Sequence, residues 1–359
     1  MVLGSTLETI RRLRSWGYSL ARFALAVLLV SALSGKLAPG VRAIADAQFQ
    51  DEWTSRDTLG QLKLYIAGDC TFANHFEEYV DTRFEYPFER LGWFSEADIC
   101  MVNLENPITT SSKRVAKEFN FKMHPKYLRV LLASGIDVVS LANNHTFDYG
   151  PEGLLETIRL LDSVGIRHVG AGENLEEARK PAIFEIKGIR VAFLGYFGRG
   201  SYAASASKPG VAPRVDAFVK DDIQKLKQKE RVDYIVVAFH WGKEKALYPD
   251  DWQVNLAHLA VETGADLVVG HHSHVLQGIE RYKGGVVAYS LGNFLFGGNS
   301  RRTYDTVVLQ VELRPGKNRV SLIPIRVRDW QPYRLSGTEG EKVISTVAEL
   351  SRRFPKSIF

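Results

Sequence analysis

Cysteine is nearly missing from this chain. Two residues in 359 are too few for a disulfide framework. Cys70 follows the strand-like run LKLYIAGD and Cys100 lies inside ADICMVNLE. With Asp69 and Glu105 level at the two strand ends, the sulfurs would be offset by about six residues, or roughly 20 Å at the strand rise, too far for a disulfide. Two free thiols are expected. A surplus of one charge is missing too, outside a short leader. The formal charge is +5, but residues 1–47 hold six basic and two acidic side chains, and the remainder is 40 basic against 39 acidic. With no basic stripe and no RNA-binding aromatic motif, nucleic acid is excluded as a partner. Also absent is an apolar run of the roughly 20 residues that span a bilayer. Phe23 to Gly35 gives 13, after IRRLRSW and before small residues at Ala43–Ala47. That is the layout of a secretory signal. Export is expected, with cleavage near Asp46 or Gln48, and an anchor on the outer face of the cytoplasmic membrane is the alternative. There is no internal repeat and no low-complexity linker, and 45% apolar with 24% charged residues is ordinary globular composition.

What is present from residue 60 onward is alternation. LKLYIAG, ADICMVN and IDVVSLA read as strands, PEGLLETIRLLDSVG as a helix with Pro151 at its start, and PAIFEIKG with IRVAFLGY as a hairpin turning at Lys187-Gly188. DDIQKLKQ and DWQVNLAHLAVETG are helical, DYIVVAFHW and ADLVVGHH strands. The chain then turns all-β through VVAYSLGNFLF, DTVVLQVELR and NRVSLIPIRVRD. A last amphipathic helix covers about Glu339–Arg353. The pattern predicts an α/β domain over 60–335 and a C-terminal helix within 336–359 packed on it. The small-residue loop SYAASASKPGVAP reads equally as a site wall or a surface insertion.

GHHSHV, residues 270–275, packs three of nine histidines behind an apolar strand. On an extended chain His272 and His274 would share a side, so these two are predicted to converge and His271 to face away in a structural role. Other strands end in kind: LYIAGD at Asp69, MVNLE at Glu105, VVSLANNH at Asn144 and His145, IVVAFH at His240. Functional groups collect at the carboxyl ends of strands in open α/β sheets. Each residue alone has a plain reading, Asp69 as a turn, Asn144 as a helix cap, His240 as a packed histidine, but five such ends together are improbable. A mixed nitrogen and oxygen set suits Mn, Fe, Co or Zn, and about six ligands exceed what one tetrahedral ion uses. Two divalent transition-metal ions are expected.

These residues carry a resemblance. GD at 68–69, NLE at 103–105, NNHTFDYG at 143–150, HWGKE at 240–244, GHHSHV at 270–275 and SLGNFLF at 290–296 resemble the CapA family of poly-γ-glutamate capsule biosynthesis proteins, a branch of the calcineurin-like metallophosphoesterases. The resemblance implies two mixed β-sheets packed as a sandwich and flanked by helices around a dinuclear centre. It implies that Asp69, His240, His272, His274 and the Asn144 carboxamide oxygen are metal ligands, joined by Glu105, with His145 the proton donor oriented by Asp148. The superfamily's usual D-x-H is here Asp69-Cys70-Thr71, so one imidazole is missing and a one-metal site stays open.

The implied chemistry is phosphoester hydrolysis by a metal-activated hydroxide, His145 protonating the leaving oxygen and Asp148 raising the pKa of its ring. Asn103, Asn293 and Arg302 are candidates for contacting substrate, Asn293 also for orienting a ligand. Arg301 and Lys243 are further candidate anion contacts, although ordinary surface charge explains each alone. The expected partners are an anionic substrate or polymer and membrane-bound capsule synthesis components. Two rivals remain: a non-catalytic polymer assembly or export factor, and a metal-dependent hydrolase of γ-glutamyl amide bonds.

Overall fold

The first strand, β1 (Leu62–Thr71), is buried along almost all of its length, and its two faces serve different cores. Leu62, Leu64 and Ile66 enter one apolar cluster, Tyr65 and Ala67 another, the period-two split of an extended chain covered on both sides. The computed structural model describes residues 60–359 apart from 74, 199, 298–302 and 315–317. The leader, Arg301 and Arg302 therefore lie outside the described residues.

After β1 come α1 (His75–Val80), β2 (Ile99–Leu104), α2 (Leu128–Ser134), β3 (Val138–Ser140), α3 (Gly150–Val164), β4 (Arg167–Val169), β5 (Ala171–Gly172) and α4 (Leu175–Ala178). The hairpin β6 (Ala182–Ile186) and β7 (Ile189–Phe197) leads to β8 (Gly210–Val211), α5 (Asp216–Gln228), β9 (Tyr234–His240), α6 (Asp251–Thr263) and β10 (Leu267–His271). Last are β11 (Ile279–Tyr282), β12 (Gly285–Ala288), β13 (Asn293–Phe296), β14 (Thr303–Leu313), β15 (Arg319–Arg328), β16 (Gln331–Arg334) and α7 (Gly337–Ser351). The hairpin turns where expected, with Lys187 and Gly188 both at positive φ (54° and 75°), as a two-residue primed turn requires. Helix α3 starts with Pro in its first turn and stops at Gly165 in the left-handed region, as its sequence signals predict.

Two sheets result. One has the order β16-β15-β14-β1-β2-β3-β4 with β13 also beside β1; the other runs β11-β12-β10-β9-β7-β6. Each mixes a parallel centre with antiparallel strands. Even-numbered residues of β9 and odd-numbered residues of β10 (Val236, Ala238, Leu267, Val269) meet Leu64, Met101 and Val307 between the sheets. The outer face of the first sheet is covered by residues of α2 and α3, such as Leu131 and Leu154. The outer face of the second is covered by Ile223 of α5 and Ala257 of α6. The layers run α/β/β/α, the sandwich that the resemblance implies. Val343 and Val347 of α7 join the central core.

The stretch from Tyr289 to Gly292 carries the chain from β12 in one sheet to β13 in the other, and two glycines let it pass. A Cβ on Gly68 would stand 1.9 Å from the Gly292 carbonyl oxygen, and one on Gly270 1.9 Å from that of Tyr289. Both glycines immediately precede residues at the rim, and Asp69 N donates to Gly292 O at 2.9 Å. Cys70 stands opposite Leu104 because Asp69 pairs with Asn103 and not Glu105. The offset from Cys100 is therefore shorter than expected, yet neither cysteine is in a disulfide and both are buried. No helix among the described residues is long and apolar enough to cross a membrane.

Candidate metal centre

Five strand ends deliver the cluster to one rim between the sheets. Register sets Asp69 beside Asn103 in the first sheet and His240 beside His271 in the second. Asp69, Asn103, Glu105, His240 and His271 are all buried.

His271 corrects the sequence reading. It ends β10 on the same inward face as Leu267 and Val269, and its Nδ1 lies 3.0 Å from Asp69 Oδ1. Extended geometry stops there: His272 and His274 have φ of 95° and 57°, so the two-residue spacing that predicted their convergence no longer applies to them. They reach the rim by a left-handed loop instead, His272 N donating to Asp69 Oδ2 at 3.1 Å and His274 Nδ1 lying 3.3 Å from the same oxygen. Such strain in non-glycine residues collects at functional sites.

Asn103 is also placed differently from expectation. Wholly buried, it holds the cluster together from within: Nδ2 donates to Asp69 Oδ1 at 2.9 Å and Glu105 Oε1 at 2.8 Å and lies 3.2 Å from His240 Nδ1. The other ring nitrogen of His240 is 2.7 Å from Asn144 Oδ1. Asn293 Oδ1 is 2.9 Å from His274 Nδ1, the position of a residue that orients an imidazole. Asp69, Glu105 and His240 have donor atoms mutually within 4.8 Å, as do Glu244, His272 and His274. Glu244 was not singled out from the sequence, although it closes the HWGKE motif.

Electrostatics suit cations. Burial pushes Asp69 up, but hydrogen bonds from His271 and His274 outweigh it and hold the carboxyl well below its ordinary range. Glu105 is driven well above its range by burial and then by the Asp69 charge. Burial, and after it neighbouring imidazoles, lower His240 and His272, while His274 is raised because its bonds to Asp69 and Asn293 overcome burial. Glu105 Oε2, His271 Nε2 and His272 Nδ1 are buried without a hydrogen-bond partner. Three orphaned acceptors or donors at one rim are costly unless something else engages them, and this oxygen and imidazole set matches the preferences of divalent first-row metals. The residues fit such a group.

Beside the cluster stands His145, whose Nδ1 lies 2.8 Å from Asp148 Oδ2 with the Phe121 ring 4.2 Å away. Asn143 fixes this turn: Oδ1 accepts from His145 N and Thr146 N, and Nδ2 donates to Leu104 O at 2.8 Å. Asp148 does raise the His145 ring, as expected, but the net shift is downward. Burial lowers it, and the Asp148 bond offsets this only in part, with the Lys117 ammonium adding to the lowering. Lys117, Phe121 and Asn143 escaped sequence reasoning; the first two sit in an aperiodic loop, and only Asn143 had a signal, its place in NNH. Tyr202 of the small-residue loop packs on Phe147 at 5.8 Å.

Fold and rim together define a four-layer α/β sandwich protein built around a candidate divalent-metal centre. The family described as "Bacterial capsule synthesis protein PGA_cap" matches residues 63–298, and the chain belongs to it. It is 35% identical over 300 residues to "PGA biosynthesis protein CapA" of Bacillus subtilis (strain 168), covering 78% of this chain and 77% of that one. "Capsule biosynthesis protein CapA" of Bacillus anthracis is 32% identical over 285 residues, 76% and 69% of the two chains. Among solved structures, a 5'-nucleotidase precursor from Thermus thermophilus aligns with a TM-score of 0.46 at 16% identity, over 80% of this chain and 58% of that one. A 5'-nucleotidase from Candida albicans aligns with a TM-score of 0.45 at 12% identity, over 81% and 57%. This chain thus spans less than two thirds of either nucleotidase.

Proposed function

We propose that the protein is an exported, metal-dependent phosphoesterase-like hydrolase that serves the assembly of an anionic cell-surface polymer of the poly-γ-glutamate type. One observation carries the reading. A cluster of carboxylate and imidazole donors with three buried atoms that lack a hydrogen-bond partner lies next to a His145–Asp148 pair that stands outside both ligand groups.

Asp69, Glu105, His240 and Asn144 form one ligand group and Glu244, His272 and His274 a second, with His271 Nε2 a further donor. Two ions fit these groups, and bound cations would supply acidity to a water and neutralise charge on an anionic oxygen. Asn103 keeps Asp69 and Glu105 at fixed separation, and Asn293 fixes the His274 ring. His145 moves the proton: Nδ1 is tethered to Asp148, which leaves Nε2 to protonate the leaving oxygen. Family membership and the names of the relatives support the polymer context, with membrane-bound synthesis components as partners. The leader supports export.

The test is hydrolysis by metal-loaded protein of phosphomonoesters, phosphodiesters and γ-glutamyl peptides. The reading expects turnover of a phosphoester. Cleavage of γ-glutamyl peptides alone would shift the chemistry to carbon, and no turnover of any of them would leave a binding role.

A further inference from the structure

The loop between β2 and α2 reaches the proton-donor pair through one cation. Lys117 Nζ lies 2.5 Å from Asp148 Oδ1, 2.9 Å from the Asn144 carbonyl oxygen and 3.2 Å from His145 Nδ1. Its side chain is 20% exposed and that of Asp148 is not exposed at all. The rest of the loop grips the same turn. Val115 N and Asn120 Nδ2 donate to the Asp148 carbonyl oxygen at 2.9 and 3.3 Å, Phe121 N donates to Asp148 Oδ2 at 2.6 Å, and the Phe121 ring covers His145.

An ammonium only donates. Lys117 has two oxygen acceptors, Asp148 Oδ1 and Asn144 O, one on either side of His145 in the chain. By occupying Oδ1 while Phe121 N holds Oδ2, it helps keep the Asp148 carboxylate from turning about its Cβ–Cγ bond, so Oδ2 stays aimed at the ring. With its own bonds met by oxygens, it does not require His145 Nδ1 as an acceptor, and Nδ1–H can donate to Asp148. The ring is then held in the tautomer that leaves Nε2 for the proton in transit.

We infer that Lys117 is a positioning residue for proton transfer, fixing the tautomer and orientation of His145 through Asp148 and tying both to the Asn144 backbone. This rests on His145 being the proton donor. Without Lys117, Asp148 Oδ1 and Asn144 O lose their donor, the carboxylate is restrained only at Oδ2 by Phe121 N, and both tautomers become populated.

The experiment compares the full chain with Lys117→Met and Lys117→Arg. Histidine side-chain 15N spectra, with His145 identified by its loss in His145→Gln, show one Nδ1–H tautomer in the parent. They show mixed or broadened signals in Lys117→Met and partial recovery in Lys117→Arg. With an alkyl phosphoester, kcat of Lys117→Met falls by about 10- to 100-fold, as for other orienting residues, while KM and bound metal hold. The loss is smaller with a nitrophenyl ester. In a His145→Ala background the same change adds less than about twofold, because the two act as one unit. An unchanged His145 signal in Lys117→Met, a rise in KM alone, or full additivity with His145→Ala would overturn the inference. If the parent protein hydrolyses no ester, the functional reading fails and the spectra still decide the role of Lys117.

Discussion

At the scale of single residues, the strongest commitment concerns His145. It touches Asp148 and Phe121, and no candidate ligand group includes it. His145→Ala should therefore keep its metal and fold while hydrolysis slows by about 10²- to 10⁴-fold, the usual worth of a positioned proton donor. The deficit should shrink for nitrophenyl esters, whose leaving oxygen departs without a proton. Loss of metal, or equal deficits for good and poor leaving groups, would place His145 among the ligands instead. The same scale shows where sequence reasoning reached its limit. Asp69, Glu105, Asn144, His240, His272 and His274 were legible because each sits at or just past a strand end. The role of His271 was not: strand alternation ends at His271, the last extended residue, and φ at His272 turns positive. Lys117 was invisible because loop residues carry no period, and only the fold brings it to Asp148, 31 positions away.

At the scale of elements, the site depends on two glycine-marked strand ends and the segment that crosses between them. Gly270→Ala would drive a Cβ against the Tyr289 carbonyl oxygen and, at 2.4 Å, the Trp241 indole nitrogen. Overpacking of this kind costs about 1–3 kcal/mol or more, and here it would also displace the loop carrying His272 and His274. Thermal melts and metal titration should show lower stability and weaker metal binding together. A variant as stable as the parent with unchanged affinity would mean that the crossing segment does not support the rim. Most strands and the longer helices could be read from apolar period and end signals. The edge strands β11 and β16 could not. Ile279–Tyr282 and Gln331–Arg334 are short, half polar and, in β16, interrupted by Pro332, and only their neighbours in the sheet make them strands.

At the scale of the whole molecule, two independent expectations meet: a leader that predicts export and a rim that predicts metal. N-terminal sequencing of the product recovered outside the cytoplasm should start near Asp46 or Gln48, whereas a start at Met1 in membrane fractions would establish the anchor. Because the candidate ligands come from both sheets, a bound cation should clamp the sandwich as a unit. Free metal at about 100 times its Kd adds about 2.7 kcal/mol, so a chelator should lower the melting temperature by several degrees, and an unmoved melt would deny that linkage. Whether the strand-end cluster is a divalent-metal centre is decided by elemental analysis of the purified protein beside Asp69→Ala and His272→Ala. Up to two transition-metal ions per chain are expected in the parent and a clear fall in both variants, since water does not replace a lost ligand at such a site. No metal above background in the parent after reloading, or an unchanged stoichiometry in both variants, would refute the metal centre.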